Sequence, residues 1–177
     1  MYVLGCRYKE GKVIELLHEP AYRHVLFNHV PIIGLMLSCV VLLAGLVMRQ
    51  VVLLRLGLLM IAATAGASVP VAGFGDQAYP EIFGKLDGAG REWLDYHTYL
   101  ADTWLPLLYL NSLLAIAANI AGYWRRPFLI PMAAVVAVVT LPAILMASWI
   151  GYAGGKIKHP EFRYEEPPVF ESSRRLP

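Results

Sequence analysis

A chain of 177 residues that is 58% hydrophobic and only 16% charged is too apolar for an ordinary soluble domain and has room for one membrane bundle. Its net charge of +2, with no basic cluster interleaved with aromatics, argues against a nucleic-acid partner. Cys6 and Cys39 belong to no Cys-x-x-Cys or Cys-x-x-Cys-His motif, which excludes a covalently attached c-type haem and gives no support for an internal disulfide.

The composition predicts three regions: a mixed-charge tail over residues 1–19, a membrane bundle over 20–155, and a polar tail over 156–177. The first apolar run, 25–48, is long enough to cross a bilayer. Its start has two readings. The helix either begins at Asn28 with Pro31 in its first turn, or begins at Pro20 and bends at Pro31. The second span, 51–69, carries Ala62, Ala63, Gly66 and Ala67, small residues at the spacing that lets helices approach closely. From 70 to 92 the sequence is rich in Gly and Pro and reads as an ordered surface loop with one short amphipathic turn. The third span, 95–124, projects two or three turns past the lipid at its start. Stepping by four and three gives its inward seam: His97, Ala101, Trp104, Leu108, Asn111, Ala115, Ala118 and Gly122. The fourth span, 127–152, ends at Gly154 and Gly155, and the tail beyond it, which holds Pro160, Pro167 and Pro168, is expected to order only against a partner.

The expected fold is therefore all-α, an integral membrane four-helix bundle whose helices extend beyond the bilayer on one side. The two short turns carry Arg49, Arg55, Arg125 and Arg126 and no acid, so the positive-inside rule puts them in the cytoplasm and both termini outside. Four of the five histidines then share the outer face: His24 and His29 on span one, His97 on span three, and His159 after span four. Measured from the arginine turns, His24 stands about 37 Å up, His29 about 30 Å and His97 about 42 Å. His24 is thus nearer His97 in height, and in a continuous helix His24 and His29 point about 140° apart. Interfacial histidines also commonly cap or hydrogen-bond without holding a cofactor. A mixed set with Asp76, Glu92, Asp95 and Asp102 could hold zinc or another divalent ion, although no His-x-x-x-His spacing supports it.

His24-Val-Leu-Phe-Asn-His29-Val-Pro31-Ile resembles the His-Pro-Leu-Leu-Val-His-Phe-Pro-Ile opening of a family of predicted four-span bacterial membrane proteins of unassigned function. Later landmarks fall in a similar order: Gly73 and Asp76, His97, then Gly154, Gly155 and His159. Val25 stands where the family has proline, and the gap from the glycine pair to His159 is shorter. The resemblance implies a four-helix fold in the bacterial inner membrane with clustered histidines, and it suggests b-type haem. Two neutral imidazoles from facing helices satisfy a low-spin iron, so one or two haems are expected on ligands drawn from His24, His29, His97 and His159, with Ala101 and Gly34 leaving room for the porphyrin. The expected role is electron transfer near the periplasmic face, between a quinol or another membrane subunit and an external partner such as a c-type cytochrome. No hydrolytic triad or phosphate loop is present, so a stand-alone enzyme is not expected. The competing expectation is a cofactor-free scaffold or assembly subunit of a larger complex.

Overall fold

The computed structural model describes residues 15–168, which form an all-α bundle with no strand among them. Four rods are long and apolar enough to cross a membrane: Pro20–Met48, Val51–Lys85, Gly88–Trp124 and Arg126–Lys158, of 29, 35, 37 and 33 residues. A bilayer core takes about 20 helical residues, so every rod overshoots it.

The first two rods are each interrupted once, and by the same device. Helix α1, Pro20–Phe27, gives way at Asn28 to α2, His29–Met48; α3, Val51–Gly66, gives way at Ala67 to α4, Ser68–Lys85. Each break lies three residues before a proline, Pro31 and Pro70. A proline there has no N–H to offer the carbonyl four residues back, so one helical bond is lost; in the first turn of a restarted helix that loss is tolerated. Asn28 and Ala67 keep right-handed helical angles, and the chain therefore runs on. Both readings of the first span thus hold in part, because helix begins at Pro20 and restarts just after Asn28.

The stretch read as a loop, 70–92, is mostly helix. α4 runs through Pro80 to Lys85, and the third rod, α5, starts at Gly88 and not at 95. Asp87 caps α5 by accepting from the Gly90 N–H at 2.8 Å, satisfying one of the four unpaired donors of the first turn. The projection of α5 is accordingly longer than two or three turns: Gly88 to Trp104 covers about 24 Å at 1.5 Å per residue. A short 3₁₀ turn, Arg126–Phe128, leads into α6, Leu129–Lys158, which passes Gly154 and Gly155 without stopping.

Inside the apolar layer α2, α3, α5 and α6 enclose Leu35, Leu42, Leu54, Leu58, Ile61, Leu108, Ala115, Ala133 and Val136. The α2–α3 hairpin is closed by backbone contact: a Cβ on Gly57 would lie 2.7 Å from the Leu42 Cα, and one on Gly45 would lie 2.7 Å from the Leu54 N. On the predicted seam Leu108, Asn111, Ala115, Ala118 and Gly122 are buried, whereas Trp104 is exposed, as an amphipathic ring at the lipid boundary would be. Ser112 donates to the Ala62 carbonyl at 2.8 Å, and the Asn111 amide donates at 3.2 Å to the Thr140 hydroxyl, which donates to the Val136 carbonyl at 2.7 Å.

Beyond that layer the bundle divides into pairs, α1 on α4 and the outer parts of α5 and α6 together. The segment after α6 folds back over the start of α5. Arg163 donates to the Lys156 and Ile157 carbonyls at 2.7 and 2.5 Å and pairs with Asp87 at 2.8 Å, joining the last turn of α6 to the cap of α5. Lys156, 3% exposed, lies 4.3 Å from the Trp93 ring centre and pairs with Glu165 at 2.7 Å. The expectation that this tail orders only against a partner is therefore corrected for residues up to 168. Its few charged side chains bind helix-end groups that have no other donor. Cys6 and the end of the tail lie outside the described residues.

Candidate functional site

His24, on the outward face of the α1–α4 pair, and His97, on the α5–α6 pair, meet between them. Their ring centres are 6.1 Å apart and the ring planes cross at 89°. The height argument put His24 nearer to His97 than His29 is but left either as its partner; the structure brings the His24 and His97 rings together.

Each ring is seated by the same two elements of a neighbouring helix. His24 Nδ1 lies 2.9 Å from the Val71 carbonyl on α4, and His97 Nδ1 lies 2.8 Å from the Ile150 carbonyl on α6. A carbonyl only accepts, so the proton in both rings sits on Nδ1 and, in the neutral ring, Nε2 keeps its lone pair. Four residues after each carbonyl comes a glycine. A Cβ on Gly75 would lie 2.9 Å from His24 Nδ1, and one on Gly154 would lie 3.1 Å from His97 Cε1. Each imidazole therefore rests on helix backbone where a side chain would displace it, and borrows the carbonyl that the glycine N–H addresses in a regular helix. A ring fixed at Nδ1 presents Nε2 in a defined direction, which is how second-shell carbonyls orient metal-binding histidines.

Two side chains near His24 carry buried polar atoms without a hydrogen-bond partner: Nε of Arg23 and Oδ1 of Asn28. Arg23 also lies over the Phe74 ring at 4.6 Å and donates to the His18 carbonyl at 3.1 Å. Asn28 is one turn from His24 on the same helix face. On the His97 side the surroundings are aromatic. Trp93 and Tyr96 are buried, the Trp149 indole donates to the Tyr96 hydroxyl at 3.2 Å, and the Tyr79 hydroxyl donates to Asp95.

The other sequence candidates are placed apart from this pair. His29 is exposed at the first position of α2. His159 has a side chain 55% exposed, paired with Glu161 at 2.9 Å and stacked on Phe162. Gly34 is not open space for a porphyrin, since a Cβ there would lie 2.6 Å from Thr64 Cγ2. As for the mixed carboxylate site, no group of three or more His, Cys, Asp or Glu suited to a metal ion occurs among the described residues. Sequence reasoning passed over Gly75 and Arg23, and it named Asn28 and Gly154 only as a helix start and a helix end; glycine inside a helix can signal close approach, but around Gly75 the Gly and Pro content read as a loop.

No protein-family model, curated protein or solved structure matches the chain.

Proposed function

We propose that this protein is a membrane electron-transfer subunit that holds one b-type haem between His24 and His97. The observation that carries the reading is the ring pair. Two imidazoles that would hold one iron between their free nitrogens need ring centres about 6 Å apart. The 6.1 Å spacing matches that requirement, and both rings are already locked in the tautomer that leaves Nε2 as the donor. Arg23 supplies what an amphipathic macrocycle with acidic edges would use: an unsatisfied guanidinium N–H, next to the His24 ligand.

When bound, a bis-imidazole haem supplies reversible one-electron chemistry. The chain's own residues then have defined tasks. Val71 and Ile150 carbonyls accept the Nδ1 protons and orient the rings, Gly75 and Gly154 give them room, and the buried Trp93 and Tyr96 exclude water on the α5–α6 side. The site stands on the part of the bundle that overshoots the apolar layer, which suits exchange with a quinol or membrane subunit on one side and an external carrier such as a c-type cytochrome on the other. The arginine turns at the opposite end favour a bacterial cytoplasmic membrane with the histidines outside. This is also the arrangement suggested by the resemblance to the four-span family.

The competing reading, a cofactor-free scaffold, draws on the same carbonyl bonds: two histidines could simply pin the helix pairs together. Colour separates the two. Protein purified in mild detergent should show a Soret band and a low-spin b-type spectrum, and His24→Ala and His97→Ala should each abolish it while far-UV circular dichroism stays helical. His29→Ala and His159→Ala should spare it. A colourless wild-type protein, after supplementation with haemin, would establish the scaffold reading in its place.

A further inference from the structure

Four arginines gather at the end of the bundle opposite the histidines: Arg49 at the close of α2, Arg55 in the second turn of α3, and Arg125 and Arg126 between α5 and α6. Among the described residues every Asp and Glu lies elsewhere, before α1, in the outer half of α4, from Asp87 through the first half of α5, or after α6. Helix dipoles do not offset the charge. Two C-termini, of α2 and α5, and two N-termini, of α3 and α6, meet here, and their half-charges of about 0.5 each cancel.

Of the four, Arg55 is the one with a buried nitrogen left unpaired. Its Nη2 reaches the Gly122 carbonyl only at 3.5 Å, the limit of a hydrogen bond, its guanidinium lies 5.5 Å from the Tyr123 ring centre, and its buried Nε has no partner. A guanidinium offers five donors in a fork that suits phosphate, and most of them are unused. The surface beside it is apolar. Val47, Trp124, Val52 and Tyr123 are 84%, 82%, 74% and 73% exposed, and among the described residues only one large hydrophobic, Tyr164 at the other end, exceeds them. Cations with a collar of exposed apolar and aromatic side chains describe a lipid and not a free anion, because both parts of one molecule are accommodated at the level where a headgroup meets its acyl chains.

We propose that this end binds an anionic phospholipid, its phosphate held by Arg55 with Arg125 and Arg126 and its acyl chains lying over Val47, Val52 and Trp124. The site is independent of the haem reading.

Native mass spectrometry of the detergent-purified full chain, titrated with phosphatidylglycerol or with zwitterionic phosphatidylcholine, tests it. Phosphatidylglycerol should remain bound at energies that strip phosphatidylcholine. Each arginine neutralised should weaken it about fivefold, the equivalent of the roughly 1 kcal/mol that one basic side chain contributes at an anionic surface. Arg55→Gln and the double variant Arg125→Gln/Arg126→Gln should both lose affinity, and Arg55→Lys should recover part of it. Arg91→Gln, at the far end, should bind like the wild type. Equal retention of the two lipids, or the same loss in Arg91→Gln, would overturn the proposal. Displacement of the lipid by millimolar inorganic phosphate would assign the arginines to a free anion and overturn the lipid source. If Arg55→Gln does not fold, the turn variant decides, since Arg125 and Arg126 are exposed.

Discussion

Glycine does opposite work at the two levels of this bundle. In the apolar layer Gly45 and Gly57 let backbone touch backbone, so that α2 and α3 close on each other with nothing between them. At the outer level Gly75 and Gly154 hold backbone away from backbone by exactly one imidazole each, and the helix pairs are joined through His24 and His97. The inner contact has no hydrophobic driving force in lipid and depends on dispersion over a short distance. The outer one depends on two hydrogen-bonded rings. The first brings main chain against main chain, and the second brings two rings edge to face.

The sharpest way to break the comparison is to add carbon at each level. Gly57→Val should destabilise the bundle most, by about 3 kcal/mol or more, since the new side chain meets Leu42 main-chain atoms that cannot turn aside. Thermal unfolding in detergent would register it. Gly75→Ala should cost far less stability, because a ring can shift where backbone cannot, yet it should displace His24 and lower retention of the proposed haem. Gly154→Ala, with its nearest approach at 3.1 Å and not 2.9 Å, should do the same more weakly. Gly73→Ala is the control. It meets nothing within 4 Å, and replacing a helical glycine there should stabilise by up to about 1 kcal/mol with the spectrum unchanged. If Gly73→Ala lost haem as fully as Gly75→Ala, the seat assigned to Gly75 would be wrong.

The same contrast explains what could be read from sequence. Apolar runs of membrane length and the seam from Leu108 to Gly122 are local features, and the spans and the buried stripe follow them; height along the helix put His24 nearer to His97 but left His29 open as its partner. The carbonyls of Val71 and Ile150 lie 47 and 53 residues from the histidines they hold, so no local pattern announces them. Glycines and prolines between 70 and 85 argued for a loop by propensity. Tertiary packing overrode it, because Gly75 is needed under His24 and Pro70 falls in a first turn. Arg163 was likewise illegible, since an arginine in a proline-containing tail gives no sign that it spans two helix ends.

Between α5 and α6 the comparison can be sharpened at depth. Asn111 and Thr140 are fully buried, and the pair should show a coupling of about 0.6 kcal/mol in a double-mutant cycle with Asn111→Leu and Thr140→Val, the ordinary worth of an interhelical hydrogen bond in a membrane. A coupling near zero would mean that small-residue packing alone holds these helices.

The smallest effect on the bundle should come from acid. The Arg163 guanidinium, and after it the Gly90 N–H, hold the Asp87 carboxyl below the usual carboxylate range. A depressed carboxylate contributes fully above its unfolded value, about 3.9, and the contribution is lost as pH falls from there through the lower folded value. Glu165, lowered by Lys156 and Tyr152, follows the same sign. Residues 160–168 should therefore stay docked from neutral pH down to about pH 4 and release below it, while the spans remain helical. Hydrogen exchange followed by peptide mass spectrometry should show amide protection at Phe162 and Arg163 falling in that window, with protection around Leu58 and Ala115 unmoved. Asp87→Asn should loosen the segment already at pH 7 and flatten its acid dependence, because the charge that Arg163 binds is gone at every pH. Loss of bundle protection in the same window would place the clamp inside the cooperative fold and not at its edge.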